Sequence, residues 1–248
     1  MLGFTKDNLA SSRQAPAISF WYLVSVPVAA YAVWFALFAF VRLSLQAWTV
    51  VNGGSLQAEF WALPSVHFIA TGVLALLFPT MFRIMSGGDE GRLVANFRAP
   101  ARTILLGAVS AGIALALFVW FAVPHASGIR TARLTPSTPD DVVAKILLIA
   151  VYGVVVPIAE ELYFRALVLS WLRQWFSPVI SATLAAAAFA LAHGRFAFGV
   201  SGMATTVVLA VLGLVCAYFA IKTMSLWPAI VAHSGYNVAI AILSFLPG

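Results

Sequence analysis

Three short stretches of this 248-residue chain set groups that move protons or form hydrogen bonds at helical spacing: Glu160, Glu161 and Arg165; Phe189 and His193; His233 and Asn237. Glu161 and Arg165 are four residues apart with the carboxylate first, the spacing and order of an ion pair along one helical face. Glu160 falls about 100° further round and has no cation within the same helix. A carboxylate bound to a guanidinium keeps its charge and makes a poor base, whereas one left unpaired in a poorly solvated place accepts a proton readily. Glu160 is therefore the candidate base. Pro157, three residues earlier, frees a backbone carbonyl and is a natural place for a kink that admits water. His193 shares a helical face with Phe189, and His233 with Asn237, so a phenyl ring can wall a site to which imidazole and amide groups are presented together. Gly235 and the run Ala185 to Ala188 permit the close helix approach that such a site needs.

The elements that must carry these residues are membrane helices. The chain is 62% hydrophobic and only 9% charged, against about 25% charged residues in an ordinary soluble domain. Splitting it at every Asp, Glu, Lys and Arg leaves long uncharged windows at 14–41, 60–82, 103–129, 146–159, 174–194, 196–221 and 223–248. All but 146–159 exceed the roughly 20 residues that cross a bilayer as a helix. That fourth window reaches spanning length only by continuing through Glu160, Glu161 and Arg165 to about Leu172. No segment has the alternating pattern of a membrane barrel strand. The expected fold is an all-α, polytopic membrane helix bundle of about seven transmembrane helices, with residues 1–248 as a single integral membrane domain.

Of the eight acidic residues, Asp7, Glu59, Asp89, Glu90, Asp140 and Asp141 fall in connections or tails, where water explains them. Glu160 and Glu161 do not. Together with Arg165 they oppose insertion of the helix from about Val142 to Leu172 by about 8 to 10 kcal/mol, and its Val, Ile, Leu and Phe residues return roughly 5 to 10 kcal/mol. Insertion near break-even requires the charges to face protein or water, and ionisable groups placed there are functional by default. A structural ion pair locking helices together is the plainer reading of the same residues.

The other titratable groups carry less. His67, within the second window, and His125, just after Pro124, have no acidic or amide neighbour in sequence and read as structural or interfacial. Cys216 is the single cysteine, so no intrachain disulfide forms, and it reads as a small apolar filler. The formal charge of +6 comes from Lys and Arg scattered through the connections, as membrane topology requires, and nucleic-acid binding is not expected. Distributed over alternate sides, Lys6, Arg13, Arg83, Arg92, Arg98, Arg102, Arg173 and Lys222 face Arg42, Arg130, Arg133, Lys145 and Arg195. This balance favours a cytoplasmic amino terminus, with the connection from Ser86 to Arg102 as the main cytoplasmic loop. The connection from Pro124 to Lys145, ending in TPDD, divides a three-helix amino-terminal part from a four-helix carboxy-terminal part.

EELYFR (Glu160 to Arg165), FALAH (Phe189 to His193) and HSGYN (His233 to Asn237) resemble, in order and on separate spans, the motifs EExxxR, FxxxH and HxxxN of the CPBP family. That family comprises CAAX-prenyl-protease type II and bacteriocin-processing intramembrane endopeptidases, also called Abi proteins. The resemblance covers roughly residues 140–240, a catalytic CPBP/Abi-like helical core, while the first three helices match only as generic membrane spans. It implies a peptide-bond hydrolase whose site is sunk into the membrane and reached by water. Carried over by motif, Glu160 activates the water with help from His193, His233 and Asn237 stabilise the oxyanion, and Glu161 with Arg165 holds the geometry. Amide hydrolysis needs a base, oxyanion donors and a proton for the departing amine, and these residues supply all three without a covalent nucleophile. Many members are labelled metalloproteases, and Glu160, His193 and His233 match a three-ligand zinc site with an open position. The metal-free reading is favoured because HExxH is absent and Asn237 has no natural role as a zinc ligand.

Two other classes compete. An ion-coupled transporter also places Glu, His and Asn at mid-membrane, but repeated halves or paired broken helices would be expected and none is visible. A non-catalytic membrane scaffold of the bacteriocin-immunity type has no use for an unpaired Glu160. The expected partners are the lipid bilayer and a membrane-associated protein or peptide substrate. The Ala- and Arg-leaning composition and the lack of eukaryotic targeting signals suggest a bacterial inner membrane.

Overall fold

A computed structural model describes residues 100–127, 142–193, 195 and 199–245, together with positions 25, 36, 40, 43, 44, 47, 51 and 97. Windows 60–82 and most of 14–41, His67, and the greater part of both connections discussed above lie outside the described residues. Five helical segments make up the remainder: α1 (Arg102–Ser127), α2 (residues 142–172), α3 (Pro178–Ala192), α4 (Gly199–Thr223) and α5 (Trp227–Ser244). Among the described residues there is no sheet. α1 continues through Pro124 to Ser127, so the connection begins later than the sequence suggests, and His125 sits on a helix.

Two stretches, Arg102–Phe121 and Gly202–Thr223, are long and apolar enough to cross a membrane by length and composition, with mean hydropathies of 2.4 and 2.3. Their outer faces are apolar as well. Leu106, Leu117, Phe118 and Phe121 stand exposed on α1, and Val207, Val211, Leu214 and Tyr218 on α4, which suits hydrocarbon and not water.

α3 is shorter than the uncharged window that contains it. Ser177 caps its start by accepting a hydrogen bond from the Ile180 amide, with Pro178 next, and the helix ends at His193. Ser before Pro is a strong start signal because both leave the first-turn donors satisfied or absent. Its 15 residues rise about 22 Å, less than the roughly 30 Å of a hydrocarbon core. The charge-free window of 174–194 overstates the helix.

α2 is one continuous rod with two widened stretches. α-helix over Val142–Ala150 passes into a π-helix over Val151–Val155, returns to α over Val156–Glu161, widens again over Leu162–Val168 and closes as α over Leu169–Leu172. The Val156 amide donates to the Val151 carbonyl and the Leu169 amide to that of Phe164. Such widened turns inside helices are uncommon and cluster at functional sites. Here they flank the Glu160–Glu161 pair.

α5 is the hub. A side chain on Gly112 of α1 would overlap the backbone carbonyl of Ala232, and one on Gly235 would press on Val109, so α1 and α5 meet backbone to backbone. A side chain on Gly153 of α2 would run into the side chain of Val238 of α5. α4 and α3 close at Gly213 against Ala186. A turn over residues 224–226, with Met224 at φ 52°, folds α5 back beside α4. The buried core where these helices meet includes Phe164, Phe189, Leu212, Cys216, Leu226 and Tyr236.

Candidate active site

The site is built from α2 outward. Glu161 and Arg165 are both completely buried, and Arg165 Nε lies 3.0 Å from Glu161 Oε2. The N–H is not aimed along a hydrogen-bond direction, so this contact is held by charge. Arg165 is fixed from two further sides: Nη2 donates to the Gly213 carbonyl at 3.2 Å, and the guanidinium carbon sits 4.8 Å from the Phe189 ring centroid. Gly213 therefore does two things. It lets α3 and α4 close, and it offers its carbonyl to a buried cation.

Glu160, on the adjacent face, keeps 27% of its side chain exposed. It lies between two imidazoles that arrive on different helices. His193 Nε2 is 3.8 Å from Oε1, and His233 Nε2 is 3.6 Å from Oε2. Both separations are longer than a direct hydrogen bond. They suit groups that share a third partner, such as a water or a substrate carbonyl.

The far nitrogen of each imidazole is tied down. His193 Nδ1 lies 2.8 Å from the Phe189 carbonyl. A carbonyl only accepts, so Nδ1 carries the hydrogen, and in the neutral ring Nε2 turns a lone pair toward Glu160. His233 Nδ1 lies 2.9 Å from Glu161 Oε1, and donation to that arginine-paired carboxylate gives the same arrangement. Glu161 is thus shared between Arg165 and His233. Phe189, wholly buried, stands edge to face against both rings, with centroids 4.7 Å from His193 and 5.5 Å from His233. The same ring stacks under Arg165, so it sets the spacing of three polar groups at once.

Asn237 is placed differently. One turn beyond His233 on α5, its Nδ2 donates to the Tyr152 carbonyl of α2 at 2.8 Å. The structure therefore brings Glu160, Glu161, Arg165, His193 and His233 into one cluster, and holds Asn237 at its edge by a backbone contact. Cys216 is buried beside Glu161 and Arg165, with Sγ 3.5 Å from the Ala229 carbonyl.

Such a cluster offers a partly exposed carboxylate, two oriented imidazole nitrogens beside it, and a fully buried ion pair behind it. The donor chemistry of Glu160, His193 and His233 is that of a zinc site with three protein ligands. Ligand atoms round a tetrahedral zinc stand roughly 3.3 Å apart given bonds of about 2.0 to 2.1 Å, and the separations here are wider. Among the described residues no group of three His, Cys, Asp or Glu closes into a metal-holding cluster.

Residues 142–239 match the family model described as type II CAAX prenyl endopeptidase Rce1-like. This segment belongs to the CPBP family. The match opens at the first residue of α2 and ends just past Asn237, so the CPBP segment contains all six candidate residues. It supports a CAAX protease-like hydrolase in the membrane. Comparison with curated proteins and with solved structures gives no match.

Several features of this CPBP site have no local sequence signal. The bond from Glu161 to His233 joins residues 72 apart. The bond from Arg165 to Gly213 also crosses between helices. The widened turns of α2 are signalled only by Pro157, which announces a disturbed ladder without fixing its register.

Proposed function

We propose that this CPBP protein is an intramembrane endopeptidase that hydrolyses a peptide bond of a membrane-associated substrate, prenylated or leader-type, by means of a water activated by Glu160. The observation that carries this reading is the convergence of both Glu160 oxygens with His193 Nε2 and His233 Nε2 at 3.8 and 3.6 Å. Glu160 and His193 keep 27% and 28% of their side chains exposed, so water can reach the base while the ion pair behind it stays dry.

In this mechanism Glu160 takes a proton from the water as its oxygen attacks the scissile carbonyl carbon. His193 Nε2 orients that water by accepting its other hydrogen. The carbonyl π electrons move onto oxygen, and the oxyanion needs donors. His233 Nε2 donates only when the ring is an imidazolium, and Glu161 at Nδ1 stabilises that charge. Glu160 and Glu161 then balance Arg165 and His233, which gives a buried cluster of zero net charge. Asn237 gives an N–H to the Tyr152 carbonyl of α2, a tie that holds His233 beside Glu160. As the tetrahedral intermediate collapses, the C–N bond breaks and the proton held by Glu160 passes to the departing amine. Water is consumed, and a carboxylic acid and an amine result.

In the proposed arrangement about seven helices lie in the bilayer, α3 among them without crossing its full thickness, with the amino terminus in the cytoplasm of a bacterial cell and the protein in the inner membrane. A scaffold or a transporter would have no need for two imidazoles held by Nδ1, to Phe189 and to Glu161, with Nε2 of each turned toward one partly exposed carboxylate. A second reading draws on that same feature. With both rings neutral, each Nε2 would offer a lone pair, as in histidines oriented to bind a metal by their second nitrogen. Glu160, His193 and His233 would then hold a zinc ion, which would supply Lewis acidity at the scissile carbonyl. The wider spacing favours the metal-free form.

The test uses the full chain in liposomes with a peptide ending in a prenylated CAAX tail and one carrying a leader-type sequence. Cleavage of either by the wild type, with a loss of about 10² to 10⁴-fold in Glu160→Gln, is expected. Equal cleavage by both forms would remove Glu160 from the chemistry.

A further inference from the structure

Pro157 lacks an N–H and sits directly after the first widened turn of α2. In that turn the amide of Val156 reaches back five residues to Val151. Continued by one residue, this register assigns the missing Pro157 donor to the carbonyl of Tyr152. That carbonyl receives Asn237 Nδ2 from α5 at 2.8 Å. Because a carbonyl only accepts, the amide nitrogen must be the end that faces it.

We infer that Asn237 is a positioning residue: it supplies from α5 the hydrogen bond that Pro157 cannot make, and so fixes Glu160 against His233. This role rests on the endopeptidase reading for its catalytic consequence, though not for its structural one. The tie works in concert with a second. One turn away on α5, His233 Nδ1 bonds Glu161 of the same helix α2. A helix carbonyl points toward the carboxy-terminal end and a side chain leans toward the amino-terminal end, so the Tyr152 carbonyl and the Glu161 carboxylate reach toward each other along α2. α5 grips both, and Glu160 lies on the stretch between them. Gly153 allows the grip, since a side chain there would collide with Val238, the residue after Asn237.

The role separates from a direct contact with the reacting atoms by a double-variant cycle. In Pro157→Ala the helix regains a donor for the carbonyl, and the tie from Asn237 becomes redundant. Thermal unfolding in detergent and steady-state cleavage are measured for the wild type, Asn237→Ala, Pro157→Ala and the double variant. In the wild-type background, Asn237→Ala should lower the unfolding temperature and reduce kcat by about tenfold or more with KM little changed, as expected when a carbonyl loses its donor. In the Pro157→Ala background both losses should largely vanish. An Asn237→Ala loss in kcat of the same size in both backgrounds would overturn the proposal and place the amide on the transition state instead. Should Asn237→Ala fail to fold, recovery of folded protein in the double variant is the same rescue, and its failure to recover is the same refutation. The unfolding measurement needs no activity, so rescue there without any cleavage would uphold the tie while removing the endopeptidase reading.

Discussion

His233 Nδ1 lies 2.9 Å from Oε1 of Glu161, the carboxylate whose other oxygen is 3.0 Å from Arg165 Nε. One buried anion therefore serves two cations or potential cations on two helices. This arrangement divides the two adjacent glutamates by function: Glu161 belongs to the framework, and Glu160 faces the partly exposed side.

The division predicts opposite signatures for two isosteric changes. Glu160→Gln should abolish cleavage while leaving the unfolding temperature little changed, because the Glu160 side chain is partly exposed and stands beyond direct hydrogen-bond distance of both imidazoles. Glu161→Gln should destabilise strongly, by about 3 to 5 kcal/mol, since it strands a buried guanidinium. Thermal unfolding of the two variants in the same detergent checks this. Equal destabilisation would mean that both carboxylates are structural.

Arg165→Lys should not restore what Arg165 provides. A lysine supplies the charge for Glu161, but a compact ammonium cannot also reach the Gly213 carbonyl and lie flat over Phe189. The expected outcome is a loss of about 1 to 3 kcal/mol in stability with reduced cleavage, read by unfolding and by kcat. A lysine variant equal to the wild type in both would reduce the site's need to a point charge.

Packing at the hub gives a matched pair on one helix. A methyl on Gly107 of α1 meets nothing within 4 Å, whereas one on Gly112 would overlap the Ala232 carbonyl of α5. Gly107→Ala should be neutral or stabilising by up to about 1 kcal/mol through helix propensity. Gly112→Ala should cost about 1 to 3 kcal/mol by forcing the helices apart. Unfolding of both variants decides it, and an equal response would contradict the close α1–α5 crossing.

Metal removal discriminates between the two forms of the chemistry. The metal-free reading predicts that cleavage persists unchanged after exhaustive chelation of the purified protein. Loss of activity that zinc restores, accompanied by one bound zinc that Glu160→Gln cannot hold, would place the ion on Glu160, His193 and His233.

What could be read from residue order reflects which forces act locally. The helix expected from about Val142 to Leu172 is present over those residues because Asp140 and Asp141 stop the apolar run at one end and Arg173 at the other. The spacing of Glu161 and Arg165 gave their pairing because four residues make one helical turn. Helix ends set by hydrogen bonding, not by charge, were less legible. The uncharged window 174–194 hides a cap at Ser177 and an end at His193 that shorten α3. Contacts between helices were not legible at all. Nothing around Glu161 announces His233, and nothing around Asn237 announces the carbonyl of Tyr152, because both are fixed by how α5 crosses α2.

The central claim is that Glu160 activates water for peptide-bond cleavage inside the membrane. Its most direct test compares the termini of membrane proteins, by mass spectrometry, in native-host cells carrying either the wild-type chain or Glu160→Gln at matched expression. The account predicts a set of new termini present only with the wild type, whose sequences would define the substrate class. Identical termini under several growth conditions, with both forms folded and abundant, would contradict it.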